Sequence, residues 1–177
     1  EGAVSIHATS GYGGSVPAVQ VDSAGNIYAC GHFRTGNKSY DGDPNPAVRV
    51  NVSVTGLDSS VISKYSPSGN LLWYVVLDAN LDDQISNCAL NAAGDYLAVA
   101  GKFKGTMSFP SAPAITSGGD YDAYVALIST STSTTSTTGP AGVVWGKALG
   151  GIGTALATGV DFDSAGQIYV GGHFKDE

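Results

Sequence analysis

The sequence predicts an all-β protein, and three observations carry this prediction. Glycine accounts for 25 of the 177 residues and recurs every few positions, which disfavours long helices. β-Branched and aromatic residues are frequent, and no apolar pattern with the spacing of an amphipathic helix is sustained. Short apolar runs instead alternate with turns rich in Gly, Ser and Asn, as is typical of many short strands.

Composition argues against two classes of partner. Charged residues make up 13% of the chain and the net charge is −7, so there is no basic stripe to hold phosphates and we do not expect nucleic acid as a partner. No apolar run approaches the roughly 20 residues that a membrane helix needs. We therefore expect no membrane insertion.

An internal repeat organises the chain. The segment 21–33 returns at 162–174, and a weaker copy with one extra residue lies at 90–103. Between the copies a second element recurs, first at 59–73 and then at 122–145. Each unit therefore contains four short strands. The predicted strands are, in order, 15–21, 26–33, 59–65, 71–77, 84–90, 95–103, 122–128, 142–149, 155–162 and 167–174.

The turns between these strands have a recognisable chemistry. Residues 22–26 (Asp-Ser-Ala-Gly-Asn) and 66–70 (Ser-Pro-Ser-Gly-Asn) each place an Asp or Ser that can bond its own backbone two residues on. A glycine able to adopt positive φ follows in each, at Gly25 and Gly69, and Gly166 holds the same position in the last copy. Tight antiparallel hairpins are predicted.

Four-stranded antiparallel units that are each too small to bury their own faces pack around an axis as a β-propeller. We therefore predict about two and a half propeller blades, a partial propeller. Because this is fewer than a closed ring needs, we expect a longer natural polypeptide; the alternatives are several chains that complete one another and an open, filament-like stack. The predicted units are the last strand of a preceding blade (1–14), two blades (15–79 and 80–151) and the first half of a further blade (152–177).

The repeat resembles a known family. Asp-Ser-Ala-Gly-Asn-Ile-Tyr at 22–28, followed by Gly-x-Phe, and Val-Ile-Ser-Lys-Tyr-Ser-Pro-Ser-Gly-Asn-Leu-Leu-Trp at 61–73 are similar to the SBBP repeat of secreted and surface proteins. The resemblance covers most of the chain apart from 37–57 and 129–141. It implies a propeller blade without a catalytic signature. The second unit departs from the pattern, because a Ser/Thr run replaces its Pro-Ser-Gly-Asn turn.

Two segments are candidates for glycosylation. The surface insertion 36–57 contains two N-glycosylation triplets, which begin at Asn37 and Asn51. Residues 129–138 form an unbroken run of Ser and Thr, which we interpret as a flexible loop outside the core; O-glycosylation or contact with polysaccharide is the alternative.

Acidic residues suggest one metal site. Asp41, Asp43 and Asn45 have the alternate spacing that begins many calcium loops, but the residues that would close an EF-hand loop are missing. An Asx turn explains the same residues without a metal, so no cofactor is predicted and calcium is the alternative. A second cluster, Asp78, Asp82 and Asp83, has no ligand pattern and is expected on a solvated loop.

Three further sets of residues recur or pair. Cys30 and Cys88 lie on neighbouring units, where either a disulfide or two buried free thiols would fit, and the thiols are favoured. The repeated aromatic positions are expected in the core between units: Trp73, Trp145, Phe33, Phe103 and Phe174. His32 and His173 share one repeat position, which suggests packing or solvation rather than catalysis.

Together these features predict a non-enzymatic extracellular or cell-surface module, structural or interacting, within a larger surface, matrix or filament glycoprotein. Its expected partners are other protein chains or further blades of the same polypeptide, with glycans as a further class. One alternative is a propeller that binds a glycan or protein through a calcium-dependent loop. Another is a propeller lyase or hydrolase, which rests on fold analogy alone.

Overall fold

In a computed structural model the chain is described at residues 7–8, 14–34, 38–41, 50–52, 56–131 and 142–175. Within these residues every regular element is a β-strand, and no helix long and apolar enough to cross a membrane occurs among them. The all-β prediction is confirmed. The strands are β1 (His7–Ala8), β2 (Gly14–Val21), β3 (Ile27–Arg34), β4 (Lys38–Asp41), β5 (Val50–Val52), β6 (Asp58–Tyr65), β7 (Leu71–Ala79), β8 (Asp82–Leu90), β9 (Tyr96–Lys104), β10 (Thr106–Ser108), β11 (Ile115–Thr116), β12 (Asp122–Ser129), β13 (Val143–Leu149), β14 (Thr154–Phe162) and β15 (Ile168–Lys175).

The strands form antiparallel sheets that follow the repeat. Sheet A contains β2, β3, β6 and β7, sheet B contains β8, β9, β12 and β13, and β14 pairs with β15 as hairpin C. All ten predicted strands are confirmed, and none of their ends differs from the prediction by more than two residues. The short strand β1 pairs with β4, which pairs with β5.

Sheet A is larger than the predicted four-stranded unit. The connection between β9 and β12 forms a small hairpin, β10–β11, and β10 pairs with β7, so sheet A has six strands in the order β11-β10-β7-β6-β3-β2. The Asn80 side chain helps to hold this hairpin, because it accepts a hydrogen bond from Thr106 N at 2.8 Å. The second unit therefore adds strands to the edge of the first.

The predicted turns are confirmed in detail. Asp22 Oδ1 accepts hydrogen bonds from the backbone N–H groups of Ala24 and Asn26 at 3.0 and 2.9 Å, and Gly25 has φ of 81°. Gly69 and Gly166 have φ of 87° and 80°. Any residue with a Cβ would be strained at these positions. Side-chain hydrogen bonds to the backbone and a glycine at positive φ thus close these hairpins, as predicted.

Each sheet has a near face, toward the preceding unit in the chain, and a far face, toward the following one. The far face of sheet A and the near face of sheet B share the largest apolar core, which includes Tyr28, Ile62, Trp73, Leu97 and Phe103. The far face of sheet B packs on the near face of hairpin C through a second core, which includes Ala100, Val125 and Val160. The units therefore stack in chain order.

A disulfide joins the first two units. Cys30 on β3 is bonded to Cys88 on β8, across the core between sheets A and B. The favoured expectation of two free thiols is wrong, because face-to-face packing brings the two sulfur atoms together. At the next interface, between sheet B and hairpin C, the strand registers place Ala100 at the position of Cys30 and Val160 at the position of Cys88.

The repeated aromatic residues are not equally buried. Trp73, Phe33 and Phe103 are at most 3% exposed, as expected of a core position. Trp145 is only half-buried, and Phe174 is 76% exposed, so the expectation of core packing is wrong for Phe174. The reason is that hairpin C covers only part of the far face of sheet B, and that β15 pairs with no further strand among the described residues.

We predict that Trp73→Ala lowers the free energy of unfolding by about 3–5 kcal/mol, because it removes a fully buried side chain. Trp145→Ala should cost about half as much, since part of its ring already contacts solvent. Denaturant unfolding of both variants checks this. Equal losses would contradict the difference in burial.

We also predict that reducing the disulfide lowers the free energy of unfolding by about 4 kcal/mol, the loop-closure value for a bridge across 58 residues. Guanidinium unfolding with and without dithiothreitol measures the loss. A Cys30→Ser/Cys88→Ser variant is the control and should be insensitive to reductant. Identical wild-type curves with and without dithiothreitol would show that the bond is absent.

Candidate functional site: the aspartate cluster between the sheets

Three aspartates meet where sheet A contacts sheet B. Asp58 begins β6, and Asp82 and Asp83 begin β8; together they are called the aspartate cluster below. Their exposed fractions are 5%, 7% and 0%. The expected solvated loop at Asp78, Asp82 and Asp83 is therefore wrong, because these residues lie on strands and the sheet contact excludes water from two of them.

Asp83 is bonded by the backbone of sheet A. Its Oδ1 accepts a hydrogen bond from Ser60 N at 2.7 Å, and its Oδ2 accepts one from Ala79 N at 2.8 Å. Burial raises the pKa of Asp83 to about 7, although these bonds and one from the Ser60 side chain favour the charged form. One side chain of sheet B thus ties together two strands of sheet A.

Asp82 links β6 of sheet A to the loop before β12. Its Oδ1 accepts a hydrogen bond from Asp58 N at 3.1 Å, and its Oδ2 accepts one from the Tyr121 hydroxyl at 2.6 Å. The hydrogen bond to this carboxylate, together with burial, raises the pKa of Tyr121 to about 12. Tyr121 therefore remains protonated and acts as a donor.

Asp58 completes the cluster from sheet A. Its Oδ2 accepts a hydrogen bond from Gln84 Nε2 at 2.7 Å, and its Oδ1 lies 3.4 Å from Arg34 Nε. Because Arg34 is mostly exposed, this ion pair contributes little to stability by itself. The Gln84 bond is the stronger link, since it again joins sheet B to sheet A.

A small polar cavity adjoins Asp58. It has a volume of about 250 Å³ and is lined by Ser15, His32, Arg34, Asp58 and Gln84, together with Gly14. Burial lowers the pKa of His32, against the opposing influence of Asp58 and a bond to the backbone of Ile85. His32 Nδ1 is buried and has no hydrogen-bond partner among the described residues. The imidazole is therefore neutral at neutral pH.

The arrangement indicates a structural rather than a chemical role. Each carboxyl oxygen of the aspartate cluster is engaged by a donor from another segment of the chain: backbone N–H, amide, hydroxyl or guanidinium. A carboxylate with both oxygens so occupied is poorly placed to act as a general base. What the cluster does is fix sheet B against sheet A in one register.

Other polar contacts reinforce the same interface. Gln20 Nε2 donates to the carbonyl of Cys88 at 3.0 Å, and the hydroxyls of Ser60 and Tyr124 lie 3.3 Å apart.

One residue of the Ser/Thr run is buried within the second unit itself. Thr130, the second residue of the run, is 3% exposed and donates to the carbonyl of Gly94, in the turn before β9, at 2.6 Å. The expectation that the whole run lies outside the core is therefore wrong at Thr130.

The candidate modification and calcium residues fall largely beyond the described residues. Asn37, Asp43 and Asn45 lie outside them, Asp41 ends β4, and Asn51 lies on β5. Those glycosylation and calcium predictions remain predictions. Within the described residues, no three His, Cys, Asp or Glu side chains are grouped as a metal site.

Comparison with models of known protein families gives no match, and a search of curated proteins gives none either.

We predict that Asp83 makes stability fall as the pH rises from about 4 to about 7. Its pKa is about 7 in the folded state, against the ordinary value of 3.8 that applies to the unfolded chain, so the folded state alone holds the proton within this range. Protonation therefore stabilises the fold fully below pH 3.8, and this contribution is lost as the pH rises through 7.

Asp83→Asn should remove this dependence and also cost about 1–3 kcal/mol, because one backbone N–H loses its acceptor. Urea unfolding at several pH values between 4 and 8 gives the difference between wild type and variant. Asp163→Asn is the control, since the pKa of Asp163 is lowered and its effect appears only in more acidic solution. Parallel curves for wild type and Asp83→Asn would contradict the raised pKa.

Proposed function

We propose that the chain is a non-enzymatic extracellular module, structural or interacting: a β-propeller segment of a larger surface, matrix or filament glycoprotein. The observation that carries this proposal is the serial packing of equivalent faces. The far face of sheet A meets the near face of sheet B, and the far face of sheet B meets the near face of hairpin C. Such stacking is what propeller blades and other repeat proteins require.

The buried aspartates, the disulfide and the repeat pattern support the same function. The aspartate cluster, the most concentrated set of buried ionisable groups in the described chain, is occupied by contacts between the sheets. The Cys30–Cys88 bond suits an oxidising compartment outside the cytosol. Similarity of the repeat to the SBBP pattern points the same way, and Asn37 and Asn51 are the proposed sites of N-glycosylation.

The polar cavity beside Asp58 and the calcium triplet at Asp41 support a second candidate, a ligand-binding propeller. The two functions can be distinguished by measurement. A ligand that binds only the folded protein raises the free energy of unfolding by about 2.7 kcal/mol when its concentration is a hundred times its Kd. A structural module gains nothing from small ligands.

Calorimetry of the secreted chain with calcium, with EDTA and with a set of mono- and oligosaccharides tests the proposal. We expect a single transition with matching calorimetric and van't Hoff enthalpies, unchanged by any of these additions. An increase in Tm with calcium that disappears in Asp41→Asn/Asp43→Asn would replace the structural function by calcium-dependent binding. An increase with a sugar that disappears in Gln84→Ala would place binding in the polar cavity.

A further inference from the structure

The far face of sheet B is covered less completely than the far face of sheet A. On sheet A, the far-face residues Trp73, Val75 and Leu77 of β7 are at most 1% exposed, in one apolar core with residues of β12 and β13 in the next unit. On sheet B, Trp145 of β13 is half-buried and Leu149 is 40% exposed. Hairpin C covers only the part of sheet B that lies under its own two strands.

The incomplete cover leaves a groove and a free strand edge. The groove has a volume of about 450 Å³ and runs between Ala123 and Leu149 of sheet B and Val170 and Phe174 of β15. Among the described strands β15 pairs only with β14, whereas its counterparts β3 and β9 each pair on both sides. A third strand in sheets A and B occupies the position that the groove leaves open.

The exposed ring of Phe174 is at a position where a third strand covers the equivalent phenylalanine of sheet B. The strand registers place Phe33, Phe103 and Phe174 at one repeat position. The ring of Phe103 lies edge-on to Tyr124 of the third strand, with centroids 6.1 Å apart, and is fully buried. Phe174 faces the groove and is 76% exposed.

The charge of the residue that follows this phenylalanine indicates which charge the partner strand carries. The residue after each repeat phenylalanine is basic: Arg34, Lys104 and Lys175. Arg34 pairs with Asp58 at the start of the third strand, and Lys104 pairs with Asp120 just before it. Lys175 forms no such pair within the described part of the chain. An acidic residue at the start of an incoming third strand would meet it.

We propose that this surface, defined by the β15 edge and the far face of β12–β13, is the acceptor for one further β-hairpin of the same repeat type. The partner's first strand pairs antiparallel with β15, beginning at an Asp that meets Lys175. Its second strand lies over Trp145. Its inner face is apolar, as in β6–β7, where Val61, Tyr65 and Leu71 form the near face. The inference rests on the proposed function and names the partner of one surface.

A synthetic peptide of residues 57–79, which spans β6 and β7, is the probe. Trp73 is replaced by Phe in the peptide, so that tryptophan fluorescence reports only on the full chain. We expect saturable one-to-one binding with a Kd on the order of 10–100 µM and a blue shift of the Trp145 emission as its ring is covered. A control peptide with Val61→Thr and Tyr65→Thr keeps its strand propensity but loses apolar area, so it should not bind.

Two variants of the full chain test the position of binding. Trp145→Thr should weaken binding about ten-fold, as is typical of a buried aromatic anchor, while Leu72→Thr, a loss of exposed apolar surface on sheet A, should leave it unchanged. Because Trp145→Thr also removes the reporter, affinities for the variants are measured by calorimetry. Lys175→Asp should weaken binding by about three-fold, and Asp58→Lys in the peptide should restore it.

The proposal is overturned if the peptide does not bind at about 1 mM, or if the control peptide binds equally well. Binding that is insensitive to both Trp145→Thr and Lys175→Asp also overturns it. If Trp145→Thr does not fold, the charge exchange at Lys175 decides. These failures differ from failure of the proposed function, which would appear as a calcium- or sugar-dependent Tm in a chain without peptide.

Discussion

A small antiparallel sheet has two faces but too few residues to bury both, and this constraint governs the rest of the structure. Sheet A buries its far face only because sheet B lies against it, and sheet B depends in the same way on hairpin C. The apolar contact between faces supplies most of the stabilising free energy, since it removes Trp73, Tyr28 and Phe103 from water. Where that cover is incomplete, as around Trp145 and Phe174, apolar surface remains exposed.

Apolar contact alone does not fix how two sheets are placed, and the polar groups at the interface provide this specificity. Asp83 accepts hydrogen bonds from two backbone N–H groups on different strands of sheet A. Both bonds can form only when sheet B lies at one position against sheet A. Burying this carboxyl carries a cost, visible as its raised pKa. Such a group therefore adds more to the uniqueness of the arrangement than to its stability. The Cys30–Cys88 bond locks the same relation covalently.

Local chemistry made most of the fold predictable. The strands followed from short apolar runs, and their ends from Asp-x-x-Gly turns whose aspartate bonds the following backbone, as at Asp22. The hairpin β10–β11 was missed, because Thr106–Ser108 and Ile115–Thr116 are too short to give a pattern of their own. They are strands only because β7 offers an edge to pair with.

The candidate site was less predictable than the fold. The sequence predicted Asp82 and Asp83 on a solvated loop. The only signal for their burial was their position directly before an apolar strand. Asp58, Gln84 and Tyr121 gave no signal, because they are joined to the cluster by partners up to 39 residues away in the chain. A buried polar group is recognised by what surrounds it, and the surroundings come from another sheet.

The repeat, its strands and its turns could be predicted from the sequence, because each depends on residues only a few positions apart. Which cysteines bond, which aspartates are buried and which aromatic rings stay exposed became visible only in the packed sheets. Those outcomes depend on which face meets which, and equal repeat positions such as Trp73 and Trp145 differ only in the neighbour that covers them. A repeat places similar residues at equivalent positions, whereas burial is a property of the pair of surfaces in contact.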